Sequence, residues 1–506
     1  MNVKRSFVPI FISCISIFFI IILSTASIKQ HENYLSGFDL GLAANTLWNI
    51  THSGHNGSVM NLYFSGYAGN NYLGLHFSPL LFLMVPIFKI FSSPITLLIL
   101  QNIILVAGVI PLYLIAKFFK LNNLIVVFLV LYYFLFPAIT SAALYDYHPE
   151  TLFPLIFLLA FYYYLKQRNY LFWFFIGLLI LNKENAILFV AFLGLFIFFS
   201  NRKERKKGIT LFLVGIISFC LIIYCAIPLI GVGHYPHSVF FPIIETHNVF
   251  SSLNIFFKSL IFPVQKWTPI LFYLFCVFPG IFFTKAGFLL FIPTVFQRIL
   301  GNNPNYWLIG HYHYDIDFLP ISVLVLILGY VSFKGFLNKH WFWQNIISKK
   351  KLSFLIIIVP LIIVVQFFLI FSLPNIIYNL NYRSPDRSLF EALTIAIPRS
   401  AENVACSSFS RNLPHLFDKK KVYIFPLVAD AECIVLLKED ESYFLDIANF
   451  LKTSNYYKVI FENQKGYIIK RVQKMDAILK NVLTQLCKRN HIYDNALVLQ
   501  ERNCVY

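Results

Sequence analysis

Residues 209–230 read ITLFLVGIISFCLIIYCAIPLI, a run without a single charged side chain. At about 1.5 Å per residue a helix of that length crosses the roughly 30 Å of hydrocarbon in a bilayer. FVPIFISCISIFFIIILSTASI (7–28) and LSFLIIIVPLIIVVQFFLIFSL (352–373) are of the same kind. A chain with several such runs has one stable solution, a bundle of membrane-spanning helices. Composition agrees: 58% of residues are hydrophobic and 13% charged, against about 25% charged in a soluble domain.

The net charge of +18 would suggest nucleic acid in a soluble protein. Here the basic residues sit in short segments between apolar runs: KQR (166–168), NRKERKK (201–207) and SKKK (348–351). That is the positive-inside pattern, which sets orientation and argues against a nucleic-acid partner. Placing these segments with MNVKR, AKFFK (116–120), TK (284–285) and KGFLNKH on the cytoplasmic side predicts about eleven spans. They lie near 7–28, 94–118, 122–139, 150–165, 170–182, 185–200, 208–230, 268–283, 286–300, 316–333 and 352–373. No small-residue cleavage site follows the first run, so it reads as a retained span with a cytoplasmic N-terminus. FSPLLFLMVPIFKIF (77–91) is too short for a full span and would invert every later loop if it crossed. It is expected to be a juxtamembrane helix on the outer face.

The expected organisation is a multi-spanning domain, 1–373, with a first outer loop at 29–76, followed by a soluble exported α/β domain, 374–506. In that tail NVACSS (403–408), KVYIFP (421–426) and CIVLLK (433–438) read as strands, YFLDIANFLKTS as a helix, and YYKVIFENQKGYIIKRV (456–472) as a hairpin turning at ENQKG. Cys14, Cys220, Cys225 and Cys276 fall in spans as apolar fillers. Cys406, Cys433, Cys487 and Cys504 fall in the tail, where the connectivity of any pairing is not readable.

This topology sorts the acids. The residues before 374 include only nine carboxylates: Glu32, Asp39, Asp146, Glu150, Glu184, Glu204, Glu245, Asp315 and Asp317. All but Glu204 fall on the outer side. So do His31, His52, His55, His76, His148, His234, His237, His247, His311 and His313, leaving His340 inside. Orientation does not demand this, because acidic residues contribute little to it. The asymmetry points to a polar site at the outer face.

Four clusters carry the chemistry. In SGFDLGLAANTLWNI (36–50), Phe38, Leu42, Leu47 and Ile50 have helical spacing, predicting a short helix lying on the membrane. Asp39 in its first turn is either a functional carboxylate or a helix cap. YDYHPE (145–150) joins two apolar runs. Pro149 suits the first turn of the next helix and Asp146 its cap, and the segment either contributes to a site or marks the water boundary. LNKENA (181–186) places Lys183 and Glu184 on the outer side, against the charge bias. Lys183 either meets a phosphate or pairs with Glu184 or Glu150. GHYHYDID (310–317) alternates His311, His313, Asp315 and Asp317, which an extended segment aims one way, and such a set can bind a divalent ion. Arg298 is a further partner for an anion. No P-loop, GxGxxG or GxSxG is present.

FDLGLAANTLWN, LGLHFSP followed by PITLLILQ, YHPE, NKENA and YHYD, in this order, resemble the multi-pass membrane proteins of domain of unknown function 2079. VACSSFSRNLPHLFDKKKVYIFP and ADAECIVLL resemble the family's exported domain. The resemblance runs from about 30 to 472 and departs at Asn45–Thr46, where a Gln is expected. The layout is similar to the GT-C glycosyltransferases. That resemblance implies a GT-C-like membrane fold and a polyprenyl-phosphate-linked sugar donor in the membrane lipid. It implies an acidic catalytic residue in the first outer loop, here Asp39. His76, His148, Lys183, Arg298 and His311 are then candidates for binding phosphate. Asp146, Glu150, Glu184, His313 and Asp315 are candidates for holding a divalent metal ion. The acceptor is not legible. A transporter of lipid-linked intermediates would place ionisable groups deep in the spans and show internal repeats, and neither is seen. A non-catalytic envelope protein with a partner-binding tail is the remaining alternative.

Overall fold

The computed structural model describes residues 7–54, 57, 58, 71–231, 235, 241, 248–339, 349–383, 392, 405–408, 410–419, 421–425, 428, 431–438, 445–464, 466–474, 476–479, 481, 482 and 485. His55, His234, His237, Glu245, His247, His340, Cys487 and Cys504 lie outside the described residues, as does most of the Gly/Asn/Ser-rich part of the first loop.

Apolar runs become helices because lipid offers the backbone no partner, so each N–H and C=O must be satisfied within its own segment. Six described helices are long and apolar enough to span: Phe7–Glu32, Pro94–Phe118, Asn123–Leu144, Arg202–Ile230, His313–Leu337 and Leu355–Asn381. A pair bent by 75°, Phe250–Ile261 with Val264–Val277, makes a seventh if it crosses as one. The expected count of about eleven is not reached by length and composition. Four of the segments expected as spans form shorter helices, Pro149–Leu165, Asn169–Asn182, Ala186–Ser200 and Gly287–Leu300, and the 77–91 segment is a short apolar helix at Pro79–Ile90.

Contacts divide the chain into two units. The first comprises Met1–Ser27, Ile99–Ile222 and Phe240–Asn379. Its elements include α1 (Phe7–Glu32, running into the second unit), α3 (Pro94–Ala107, entering from the second unit), α4 (Val109–Phe118), α5 (Asn123–Leu135), α6 (Pro137–Leu144), α7 (Phe153–Leu165), α8 (Asn169–Ile180), α9 (Ala186–Ser200) and α10 (Arg205–Leu221). They continue with α11 (Trp267–Val277), α12 (Gly287–Leu300), α13 (Phe318–Lys339) and α14 (Lys349–Phe367). Without water to drive helices together, close backbone approach through small residues matters most. The α9–α10 hairpin shows it. A Cβ on Gly194 would lie 2.7 Å from the Gly208 carbonyl, and one on Gly215 2.6 Å from the Ala191 nitrogen. The window of α13 is 83% buried, so it is central, whereas α1 at 22% turns Ile10, Ile17, Phe18 and Ile21 outward. Phe19 of α1 stacks on Phe134 of α5 with centroids 4.7 Å apart.

The second unit comprises Ile28–Leu98, Ile223–Val239 and Leu380–Tyr506. Its tail carries β1 (Ala405–Ser408), β2 (Lys421–Ile424), β3 (Cys433–Leu437), α15 (Leu445–Thr453), β4 (Tyr457–Glu462) and β5 (Gly466–Arg471). These are the strands, helix and hairpin read from the sequence. They form one sheet in the order β2-β1-β3-β5-β4, with β1 parallel to β2 and β3, and β5 antiparallel to β3 and β4. Tyr423, Phe425, Ile434, Leu436, Leu451 and Ile469 belong to the core under it.

α2 (Phe38–Ser53) belongs to this second unit, and its stripe is not laid on a membrane surface as expected. Leu40, Leu42, Ala43, Ala44 and Leu47 are buried in protein. A Cβ on Gly41 would meet Leu413 Cβ at 2.8 Å. Asn45 Nδ2 donates to the carbonyls of Phe417 and Lys419, each at 2.8 Å, and Asn45 Oδ1 accepts from Ser58 Oγ at 2.6 Å. The residue that departs from the family pattern thus ties the first loop to the tail.

Candidate active site

YDYHPE is the turn between α6 and α7. After Leu144 the chain reverses through Asp146 at φ 107°, a region that residues with a side chain seldom occupy. Gln101 of α3 holds it there. Its Nε2 donates to the carbonyls of Ala142 at 2.9 Å and Asp146 at 2.7 Å, and its Oε1 accepts from the His148 amide at 2.8 Å. One buried amide thus satisfies an orphan carbonyl at the end of α6 and two groups of the turn. Pro149 opens a 3-10 turn, Pro149–Leu152, as its missing donor allows. The N-cap of that turn is His148, so Asp146 is not the cap the sequence suggested.

With the turn fixed, His148 and Glu150 meet residues from two other loops. Lys183, in the turn between α8 and α9, donates through Nζ to Glu150 Oε1. His313 Nε2 lies 3.4 Å from Glu150 Oε1, and His148 Nδ1 lies 4.0 Å from Oε2. The two imidazoles stack with centroids 3.5 Å apart and planes 19° apart, and Tyr145 lies alongside both. All four charged or titratable residues are buried. Of the alternatives for Lys183, the pair with Glu150 is formed. Tyr147, buried in the same turn, has its phenol held well above the usual range, by burial first and by the Glu150 carboxylate second.

Arg298 of α12 makes a second cluster. Its Nε and Nη2 donate to the Tyr273 hydroxyl at 3.1 and 3.0 Å, and Nη2 also reaches Asp315 Oδ1 at 3.3 Å and the Tyr314 carbonyl. Tyr273 donates to the same Asp315 oxygen, whose partner Oδ2 accepts from the Gly310 amide at 2.9 Å. Arg298 and Asp315 therefore brace the 310–317 loop from inside. That loop is not extended, because His313–Asp315 is a 3-10 turn. It buries His313, Asp315 and Asp317 and leaves His311 exposed, so the four do not face one way.

The structure brings together His148, Glu150, Lys183 and His313. It places Asp146 in the clamped turn and Glu184, also buried, beside Lys183 in sequence. Asp39 and His76 belong to the other unit. Asp39 stands in the first turn of α2, as expected, where a carboxylate favours the helix N-terminus, and the N-cap residue itself is Gly37. His76 ends the short helix Tyr72–Leu75.

Among the described residues, the metal-suited set is His148, Glu150 and His313, with one ligand atom of each within 4.8 Å of the others. This differs from the expected set of Asp146, Glu150, Glu184, His313 and Asp315. Two imidazoles and a carboxylate suit a zinc-class ion. Bonds of about 2.1 Å put ligand atoms at most about 4.2 Å apart, so a small closure is needed. Lys183 occupies one Glu150 oxygen and leaves Oε2 for an ion. Sequence reading passed over Gln101 and Tyr145. Gln101 was detectable as one of a Gln–Asn pair inside an apolar helix, where polar residues are costly.

The profile of the DUF2079 family, described as predicted membrane proteins, matches residues 30–466. The chain belongs to that family. Among curated proteins none matches it. Similar solved structures include ArnT from Cupriavidus metallidurans bound to undecaprenyl phosphate. It shares 13% identity, with 91% of this chain and 98% of that one covered, at a TM-score of 0.50. Another is the archaeal oligosaccharyltransferase AglB from Archaeoglobus fulgidus in complex with an inhibitory peptide and a dolichol-phosphate. It shares 12% identity over 90% and 74% of the two chains, at a TM-score of 0.46. At such identities the likeness is one of fold. This DUF2079 chain is a membrane protein whose fold is similar to that of ArnT.

Proposed function

We propose that this protein transfers a sugar from a polyprenyl-phosphate carrier at the outer face of the membrane. The observation that carries the reading is the buried His148–Glu150–Lys183–His313 cluster, in a fold shared with a protein solved with undecaprenyl phosphate bound. In such a transfer the bond between the anomeric carbon and the phosphate oxygen breaks. An acceptor hydroxyl oxygen bonds to that carbon, and its proton passes to a base. Lys183 supplies a cationic donor for the phosphate oxygens as charge develops on them, and the two imidazoles supply N–H donors where no ion is bound. Glu150 holds Lys183 and His313 in place. The resemblance to the GT-C layout alone would make Asp39, in the first outer loop, the base. A divalent ion on His148, Glu150 and His313 would add Lewis-acid stabilisation of the same phosphate. In this reading the N-terminus is cytoplasmic, and the tail, 374–506, is exported.

The test compares lipid-linked sugars, by mass spectrometry, in cells carrying the intact protein, no protein, Asp39→Asn or Lys183→Met. Deletion is expected to raise one polyprenyl-phosphate sugar pool. Both variants should reproduce that rise at wild-type expression, reflecting a loss of transfer on the order of 100-fold or more. A deletion strain with an unchanged lipid-linked sugar profile would sink the reading.

A further inference from the structure

Next to Glu150 and His313 the first unit has a small pocket with an open mouth. Asn182, Asn185, Gln297 and Asp317 line it, with Phe153 as an apolar wall. Asn182 is 0% exposed and Asp317 4%. Yet several of the polar atoms there have no hydrogen-bond partner. They are both amide atoms of Asn182, Asn185 Oδ1, Gln297 Nε2, Glu150 Oε2 and, apart from the Phe318 amide, the carboxylate of Asp317. Each such buried group costs about 1–3 kcal/mol when left unmet. Five of them converging on one cavity is a preorganised surface awaiting a ligand.

The mixture of donors and acceptors selects the ligand. A bare cation wants oxygens only, but Asn182 presents a donor whichever way its amide is turned. A phosphate would face the carboxylates of Glu150 and Asp317. Hydroxyl groups both donate and accept, and an apolar ring face suits the C–H side of a pyranose. We infer that Asn182, Gln297 and Asp317 form the subsite for the hydroxyls of an uncharged sugar, the group transferred, with its phosphate toward Lys183. This inference rests on the carrier reading above.

The full-length chain in nanodiscs is titrated with citronellyl phosphate and with citronellyl-phosphoryl glucose, mannose, galactose and arabinose. At least one sugar-bearing probe should bind about 10-fold or more tightly than bare citronellyl phosphate, the gain expected of one or two well-made hydrogen bonds. Asn182→Leu and Asp317→Asn should bring that preference to within about 2-fold and leave bare citronellyl phosphate unaffected. Without ligand, Asn182→Leu should melt at or above the wild-type temperature, since an apolar group replaces an unmet amide. A wild type that binds citronellyl phosphate but prefers none of the four sugars overturns the subsite alone. So does a preference that survives both variants, a sharply lowered melting temperature for Asn182→Leu, or Mn2+ binding that Asp317→Asn removes. A wild type that binds none of the probes, bare citronellyl phosphate included, overturns the carrier reading itself.

Discussion

At the scale of single residues, His415 shows how burial writes a pH response into the second unit. Its ring stacks on His31 with centroids 4.2 Å apart, lies 4.0 Å from Tyr34, and bonds through Nε2 to the His31 carbonyl at 3.0 Å. Burial, and then the neighbouring His31, holds its pKa well below the usual histidine range. The unfolded chain takes up the proton first, near pH 6.5. Stability from this contact is therefore complete above that pH and is lost as pH falls toward the folded value. Thermal melts of the purified chain at pH 7.5 and 5.0 should differ by several degrees more in wild type than in His415→Gln, which keeps a donor but cannot titrate. Equal pH dependence in the two proteins would show that the ring is protonated as readily folded as unfolded.

At the scale of elements, the decisive feature is that α3 carries the clamp for a turn more than forty residues away. Gln101→Leu keeps the volume and removes three bonds at once, those to the Ala142 and Asp146 carbonyls and the one from the His148 amide. The expected loss is about 3 kcal/mol or more. Asp146 would then relax from its φ of 107°, carrying His148 and Glu150 with it. Amide exchange at His148 should accelerate by at least 100-fold, with a lower melting temperature. Unchanged protection at His148 would mean the turn holds itself. The same elements explain why the site was half legible. YDYHPE, LNKENA and GHYHYDID stood out because charge is rare in an apolar chain. The internal engagement of Arg298 with Asp315 was hidden, because sequence spacing does not say which loops converge.

At the scale of the whole molecule, topology rests on parity. Seven crossings, like eleven, put the tail on the side opposite the N-terminus, whereas six put both on one side unless a shorter helix also crosses. The basic segments between the apolar runs favour the odd count. An alkaline phosphatase fused after residue 380 should therefore be active, and a green fluorescent protein at the same point dark. The opposite pattern would place the tail in the cytoplasm and remove the outer-face site.

Sequence alone determined the class of molecule, since uncharged runs of about 20 residues admit only spanning helices. It also determined the tail's strands, which period-2 patterning and a turn signal mark locally. It brought out the residues of the candidate site, because a buried polar group in an apolar chain is retained only for a reason. Tertiary structure decided the pairings. Lys183 had Glu150, Glu184 and a phosphate as possible partners, and in the fold it donates to Glu150. α2 had a lipid surface available and instead buried its stripe against the tail segment at Leu413. Periodicity says which face of a helix is apolar, but what covers that face depends on contacts hundreds of residues apart, such as Asn45 with Phe417, which no local pattern encodes.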